Sequence, residues 1–126
     1  MQKIFFFTLL VVLIGCKTQS PQKKYIDKPL VFQDLFNAAS NDEVACYRIP
    51  AIITAPNGDL IATIDERVPG CGDLKYSRDI NIVQRRSVDN GKTWSEIETV
   101  VNLPLGQSAS DPSMIVDNET GEIIMF

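Results

Sequence analysis

Hydrophobic positions in most of this chain come in short runs that are separated by turn-forming residues. From Tyr47 onward, β-branched runs of about five to eight residues alternate with clusters of Gly, Asn, Asp and Pro, and no stretch keeps a helical period. This pattern predicts an all-β chain. The predicted strands cover residues 47–54, 60–65, 80–86, 96–101, 114–116 and 122–126.

Turn signals join these strands into three predicted hairpins. The Pro56-Asn57-Gly58-Asp59 segment contains an Asn-Gly pair, which tolerates the positive φ of a tight hairpin. Residues 87–94 and 118–121 join the second and third pairs of strands, and residues 66–78 are predicted to form a long loop. Regular hairpins suit a sandwich, a barrel or a propeller, and periodicity alone does not choose among these folds.

Composition narrows the chemistry that this chain can perform. The 126 residues are 44% hydrophobic and 22% charged, with a formal net charge of -4, which indicates a folded domain and disfavours a nucleic-acid partner. The chain has no His. This excludes imidazole as a base or metal ligand, and with it Ser-His-Asp triads and most catalytic zinc sites. We therefore expect no metal, and any acid or base to be a carboxylate, Tyr, Lys or Cys.

Residues 1–15 have the pattern of a secretory signal peptide. A basic start at Lys3 precedes an apolar run over residues 4–14, about half of the ~20 residues that a membrane-spanning helix needs. Leu13-Ile14-Gly15-Cys16 resembles the bacterial lipobox, which implies acylation of Cys16. The alternative is a cleaved signal followed by an incidental Cys. Residues 16–29 are then the lipidated Cys and a polar tether, and residues 30–126 are the folded domain.

Two expectations about the whole protein follow from the ends of the chain. The lipobox predicts an exported lipoprotein, anchored in a membrane and facing the periplasm or the surface of a bacterium. Residues 122–126 are an apolar strand with no polar ending, so we expect the chain to be the front of a longer protein. Alone, it should be marginally stable.

The segment 87–94 carries a specific motif. Its sequence matches S-x-D-x-G-x-T-W through Ser87, Asp89, Gly91, Thr93 and Trp94, and it resembles the Asp box of sialidase β-propellers. We expect the Ser and Asp oxygens to accept hydrogen bonds from the turn, Gly91 to take an open backbone angle and Trp94 to pack on its hairpin. A catalytic role for Asp89 is the less favoured alternative, because the family's Asp box lies at the rim of the propeller.

A second motif of the same family precedes the Asp box. Tyr47-Arg48-Ile49-Pro50 resembles the Y/F-R-I-P motif of the first catalytic strand in sialidases, and the resemblance covers roughly residues 44–126. It implies a six-bladed β-propeller of the bacterial exo-α-sialidase kind. This chain would hold about the first blade and part of the next. No cofactor is implied.

The resemblance also implies roles for four residues. Arg48 matches the first Arg of the triad that grips the carboxylate of sialic acid, a task that suits the planar guanidinium fork. Asp73 matches the general acid, on a Gly-flanked loop. Arg67 matches a further substrate-binding Arg, with a salt bridge to Glu66 or Asp65 as the alternative, and Asp111 matches an Asp that contacts the ring substituents. Asp65 and Asp79 remain competitors for the acid.

The remaining catalytic groups of the family have no match in this chain. The nucleophilic Tyr, the Glu that activates it and two triad Arg residues lie in later blades of the family, and Tyr25, Tyr47 and Tyr76 are not candidates for the nucleophile. The chain alone should be inactive. The implied parent cleaves terminal α-linked sialic acids, with retention, from glycoproteins, gangliosides and sialyl-oligosaccharides. The alternative is a non-catalytic Asp-box propeller that binds sialic acid or acts as a scaffold.

Two smaller signals complete the sequence. Cys46 and Cys71 stand near Arg48 and Asp73, and an even pair of Cys in an exported protein suggests a disulfide, with two free thiols as the alternative. Asn118-Glu119-Thr120 fits the N-glycosylation pattern, but a turn explains it equally well and is the preferred interpretation.

Overall fold

The computed structural model describes Pro29, residues 31–77 and residues 79–126. The predicted signal peptide, Cys16 and most of the predicted tether lie outside these described residues. Pro29 and Val31 are exposed, and residues Phe32–Phe126 form one compact unit. Within the described part, no helix has the length and apolar character needed to cross a membrane.

Antiparallel strands make up nearly all of the regular secondary structure described in the compact unit. After a single 3-10 turn at Ala38–Ser40, the strands are β1 (Cys46–Thr54), β2 (Leu60–Arg67), β3 (Ile80–Ser87), β4 (Glu98–Val101), β5 (Met114–Val116) and β6 (Ile123–Met125). The first four form one sheet in the order β1-β2-β3-β4, and β5 pairs with β6 in a second sheet. The prediction of an all-β chain is confirmed. A four-stranded meander of this kind is the unit from which propeller blades are made.

The hairpin between β1 and β2 forms as its turn residues predict. Gly58 has a φ of 90°, and the Ala55 N–H donates to the carbonyl oxygen of Asp59 at 2.8 Å. The Asn57 side-chain oxygen accepts from the Asp59 N–H at 3.1 Å, which stabilises the turn locally. Thr54 then pairs with Leu60, so the turn sets the register of the whole hairpin.

The predicted bounds are wrong at the end of β2. This strand continues through Glu66, which pairs with Asn81, to Arg67, which pairs with Ile80. The loop therefore covers residues 68–79 rather than 66–78. Glu66 and Arg67 continue the alternation of the strand, and their partners on β3 satisfy the backbone. The strands β4 and β6 also begin one or two residues later than predicted.

The centre of the first sheet supplies the hydrophobic core. Ile80, Ile82 and Val83 on β3 are at most 3% exposed, and Ala62 and Ile64 on β2 are also buried. Both faces of β3 are covered, which explains its nearly continuous apolar run at residues 80–83. This buried centre is the rigid support for the polar residues at the end of β2.

Candidate active site

The register between β1 and β2 gathers four functional residues on one face of the sheet. Cys46 pairs with Arg67, and Arg48 pairs with Asp65. Directly opposed residues share a face, and so do residues two apart on one strand. Cys46, Arg48, Asp65 and Arg67 therefore form one polar group at the end of the sheet.

A β-bulge in β1 follows Arg48 immediately. The register shifts between Arg48, opposite Asp65, and Ala51, opposite Thr63, so Ile49 and Pro50 together face one residue of β2. Ile49 has a φ of 56°, a costly conformation for a β-branched residue, and Pro50 has no N–H to give to the ladder. The Arg-Ile-Pro motif thus interrupts the strand next to its Arg and sets the direction of that side chain.

The loop after β2 folds back over this face. A disulfide joins Cys71 of the loop to Cys46 of β1, with their Cα atoms 5.7 Å apart. The Tyr76 and Ser77 N–H groups donate to the Asp73 carbonyl at 2.6 and 3.0 Å, forming a tight turn. At Gly72 a Cβ atom would lie only 2.8 Å from the Cβ of Tyr76, so this turn requires glycine. These contacts hold Asp73 above the sheet.

Two guanidinium groups meet at one oxygen of Asp73. Arg67 Nη1 donates to Oδ1 at 2.7 Å, and Arg48 Nη1 donates to the same atom at 3.0 Å. The hydrogen bond from Arg67 and the charge of Arg48 hold the pKa of the Asp73 carboxyl below its usual value. The Asp73 side chain is 72% exposed. In this structure Asp73 is therefore an exposed anion that is paired with two cations.

Arg67 lies beneath this site and is almost wholly buried. Its side chain is 1% exposed, and Nη2 donates to Oδ2 of Asp65 at 2.8 Å, while Nη1 also donates to the Gly72 carbonyl at 2.7 Å. Burial alone would lower the pKa of Arg67, but the hydrogen bonds and charges of Asp73 and Asp65 outweigh it, so the pKa is raised. Arg67 is thus a fixed cation with a carboxylate on either side.

The structure answers several alternatives that the sequence left open. Arg48, Arg67 and Asp73 come together at one site, whereas Asp65 is fully buried and cannot reach a ligand. Arg67 does form a salt bridge with Asp65, and forms another with Asp73; Glu66 instead accepts from the Tyr47 hydroxyl at 3.2 Å. The catalytic and substrate-binding roles stay predictions.

Asp111 contacts this group of residues with its backbone N–H and not with its side chain. Its N–H donates to Oδ1 of Asp65 at 2.9 Å, and the Ser110 hydroxyl donates to Oδ2 of Asp65 at 2.8 Å. Asp111 has a φ of 62° and is exposed. Sequence reasoning missed the roles of Ser110 and Asp65 in this contact. The Asp-x-Arg spacing on a strand indicates only that Asp65 and Arg67 share a face, and nothing local indicates the contact with Ser110 and Asp111.

The Asp box forms the predicted turn, far along β3 from this site. Asp89 Oδ1 accepts from the Lys92 and Thr93 N–H groups at 3.0 and 2.9 Å, and Ser87 Oγ accepts from the Gly91 N–H at 2.8 Å. Gly91 has a φ of 82°. The backbone and side-chain hydrogen bonds from Thr93, together with that from Ser87, lower the pKa of Asp89 to about 2. Its contacts are those of a structural residue.

The described residues also include the acidic side chains and the turn at Asn118-Glu119-Thr120 that the sequence singled out. Among them, no group of three or more Cys, Asp or Glu side chains could hold a metal ion. Asn118-Glu119-Thr120 lies in the turn between β5 and β6, where the Asp117 carboxylate accepts from the Glu119 N–H at 2.8 Å. The turn predicted at this segment is therefore present.

Comparison with known proteins relates this geometry to one family. No protein-family model matches the chain. The sialidase of Micromonospora viridifaciens is 43% identical over 84 residues, which is 64% of this chain and 12% of that protein. The sialidase of Bacteroides fragilis is 34% identical over 92 residues, or 68% of this chain and 16% of that protein. The chain thus spans a small part of the length of these relatives.

Solved structures show the same likeness in three dimensions. The crystal structure of the NanB sialidase from Streptococcus pneumoniae, in complex with 2-[(3-chlorobenzyl)ammonio]ethanesulfonate, superposes with a TM-score of 0.64 at 29% identity. The match covers 75% of this chain and 17% of that one. The sialidase-type β-propeller fold that the sequence predicted is therefore confirmed, with the first sheet as one blade. Over the matched part of its length, the chain resembles sialidases in both sequence and fold.

Proposed function

We propose that the complete protein containing this chain is an exo-α-sialidase. The observation that supports this most is the convergence of Arg48 and Arg67 on one carboxylate oxygen at the end of a sheet. Relatives that are named sialidases support the same reaction. The substrates would be sialylated glycans, including glycoproteins, gangliosides and sialyl-oligosaccharides, cleaved with retention at terminal α-linked sialic acids.

Arg48 is the residue proposed to grip the substrate carboxylate. Sialic acid carries a carboxylate on its anomeric carbon, and a guanidinium can bind both of its oxygens at once. Arg48 is 42% exposed, whereas Arg67 is buried. An incoming anion can therefore reach Arg48 directly and must compete there with the Asp73 carboxylate.

This competition offers a route by which Asp73 becomes an acid. A general acid must hold a proton, but Arg67 and Arg48 lower the pKa of Asp73 in the free protein. When a substrate carboxylate takes Arg48, Asp73 loses one cationic partner and gains an anionic neighbour. Both changes raise its pKa. Asp73 would then protonate the glycosidic oxygen as the bond from that oxygen to the anomeric carbon breaks.

We also propose that the protein is a membrane-anchored lipoprotein. The lipobox at Leu13-Ile14-Gly15-Cys16 supports this proposal, and these residues lie outside the described part of the structure. In the complete protein, Cys16→Ser should move the polypeptide from the membrane fraction to the soluble fraction. An unchanged distribution would reject lipidation at Cys16.

The proposed activity is tested by incubating the complete protein with sialyl-lactose and measuring the release of free sialic acid. We expect release that follows the enzyme concentration and proceeds with retention at the anomeric carbon, observed by NMR of the first-formed anomer. Binding of sialyl-lactose without release would instead make the protein a sialic-acid-binding propeller. If the protein neither binds nor cleaves sialyl-lactose, the sialidase function and the sialic-acid-binding function are both rejected.

A further inference from the structure

Asp65 is a buried carboxylate that the proposed reaction does not use. It is 0% exposed, and three groups donate to its oxygens. Oδ2 accepts from Arg67 Nη2 and from the Ser110 hydroxyl, both at 2.8 Å, and Oδ1 accepts from the Asp111 N–H at 2.9 Å. A charge withdrawn from water in this way needs such partners, because an unpaired buried carboxylate is very costly.

The partners of Asp65 belong to two separate parts of the site. Arg67 is on the same strand, and its other terminal nitrogen, Nη1, donates to Asp73. Ser110 and Asp111 lie 45 and 46 residues further along the chain, on the segment that precedes β5. Asp65 therefore joins the Arg67–Asp73 pair on the sheet to the segment that carries the predicted pocket residue Asp111. Next to it, the Ala109 N–H also donates to the Ile80 carbonyl at 3.0 Å, and the Ile80 N–H donates to Ser108 Oγ at 3.2 Å.

We propose that Asp65 is a positioning residue. It fixes Arg67 against Asp73, the proposed general acid, and it holds the backbone of Asp111 next to the Asp65 carboxylate. This inference rests on the proposed function. Asp65 touches no substrate in this account, because it is fully enclosed. It acts by sharing the charge of Arg67 and by fixing the place of the Asp111 backbone.

Because Asp65 partly neutralises Arg67, its removal should change the pKa of Asp73 in a defined direction. Asp73 faces the cations of Arg48 from β1 and Arg67 from β2, with the carboxylate of Asp65 behind Arg67 and Asp111 on the adjoining segment. If Asp65 loses its charge, Arg67 is less neutralised and stabilises the Asp73 anion more strongly. Asp73 then loses its proton at lower pH, and the acid is less available for catalysis.

Asp65→Asn in the complete protein removes the charge of this side chain and keeps its size. The amide keeps the size of the side chain and an oxygen for the Asp111 N–H, but it removes the negative charge and places an NH2 group, which cannot accept, opposite Arg67 Nη2. We expect kcat/KM for sialyl-lactose to fall by about 10- to 100-fold, the range for losing a charged hydrogen-bond partner. A nitrophenyl-type sialoside, whose leaving group needs less help from an acid, should be affected less. The limb on which activity falls as the acid deprotonates should move to lower pH.

Asp59→Asn is the matched control. Asp59 also binds an Arg across the sheet, since Arg86 Nε donates to its Oδ2 at 2.7 Å, but this pair lies at the opposite end of β2. A purely structural loss should lower the thermal stability of both variants and leave the substrate ratio and the pH profile unchanged. An unchanged ratio and profile in Asp65→Asn would overturn the proposal.

Two further measurements keep the test decisive. If Asp65→Asn does not fold, Ser110→Ala removes one of the three donors and should lower kcat/KM for sialyl-lactose by about 3- to 10-fold; wild-type kinetics would overturn the proposal. If the wild-type protein cleaves no sialoside, the proposed function fails, but the titration of Asp73 by carboxyl 13C NMR still tests Asp65. A lower Asp73 pKa in Asp65→Asn supports the positioning role, and an unchanged pKa rejects it.

Discussion

Asp89 shows how one carboxylate holds the turn between β3 and β4. The bonds from Thr93 and Ser87 lower its pKa from 3.8 to about 2. A depressed carboxylate pKa stabilises the fold above the ordinary pKa of about 4, and the contribution disappears as pH falls through the folded value. Asp89→Asn should therefore lower the melting temperature of the complete protein above about pH 4, and the difference from wild type should shrink between pH 4 and pH 2.

Asp42→Asn provides the control for this thermal series, because Asp42 is an exposed carboxylate in the turn before β1. Its variant should melt like wild type at every pH. If the gap between wild type and Asp89→Asn stayed constant down to pH 2, the charge of Asp89 would have no part in stabilising the turn.

Some residues were predicted from sequence motifs, whereas others were identified only from the structure. Arg48 and the Asp box were predicted because their spacing is specific, and the structure places both on the expected strand and turn. The enclosure of Asp65 was not predicted. The Ser110 hydroxyl, 45 residues away, donates to Asp65, and a contact at that separation leaves no local signal.

The loop after β2 is the element on which the site depends most. Its disulfide joins residues 25 apart in sequence, and the Cys71 carbonyl accepts from Arg48 at 3.3 Å and from Arg67 at 3.4 Å. The bridge thus fixes the segment that carries Asp73. In the chain-entropy account, closing a loop of this length contributes about 3 to 4 kcal/mol.

Thiol labelling of the complete protein tests this bridge. Under denaturing, non-reducing conditions, the Cys16→Ser variant should leave Cys46 and Cys71 unlabelled, and both should react after reduction. Labelling of both without a reductant would show that they are free thiols.

Strand existence was easier to predict than strand ends. All six strands were predicted from alternation and turn residues, but β2 extends through Glu66 and Arg67. A loop was predicted there, whereas pairing with Asn81 and Ile80 makes a strand, and such pairing cannot be read from the local sequence. The bulge at Ile49 was also missed, because nothing in a β-branched side chain predicts its positive φ.

At the level of the molecule, this unit leaves apolar surface for other strands to cover. Ile52 is 63% exposed beside an apolar groove of about 380 Å³ that is lined in part by Leu35, Phe36 and Ile64. Ile115, Ile124 and Phe126 are also exposed on the second sheet. Exposed apolar surface of this kind agrees with the expectation that these sheets are part of a larger propeller, in which neighbouring blades cover each other.

The propeller also explains why the whole activity cannot be derived from this chain. The two curated relatives are matched over 12% and 16% of their lengths. The family resemblance assigns the nucleophile and two Arg residues to later blades. Arg48, Arg67 and Asp73 are the residues proposed for binding the substrate carboxylate and for the general acid, so their variants give the most direct access to the proposed chemistry.

The measurement that tests the account most directly compares two substrates in two variants of the complete enzyme. Asp73→Ala should lower the initial rate on sialyl-lactose by about 10²- to 10⁴-fold, because a sugar alkoxide is a poor leaving group, and should affect a nitrophenyl-type sialoside much less. Arg48→Ala should reduce both rates alike, because both substrates carry the same carboxylate. Equal losses on the two substrates for Asp73→Ala would contradict the assignment of Asp73 as the general acid.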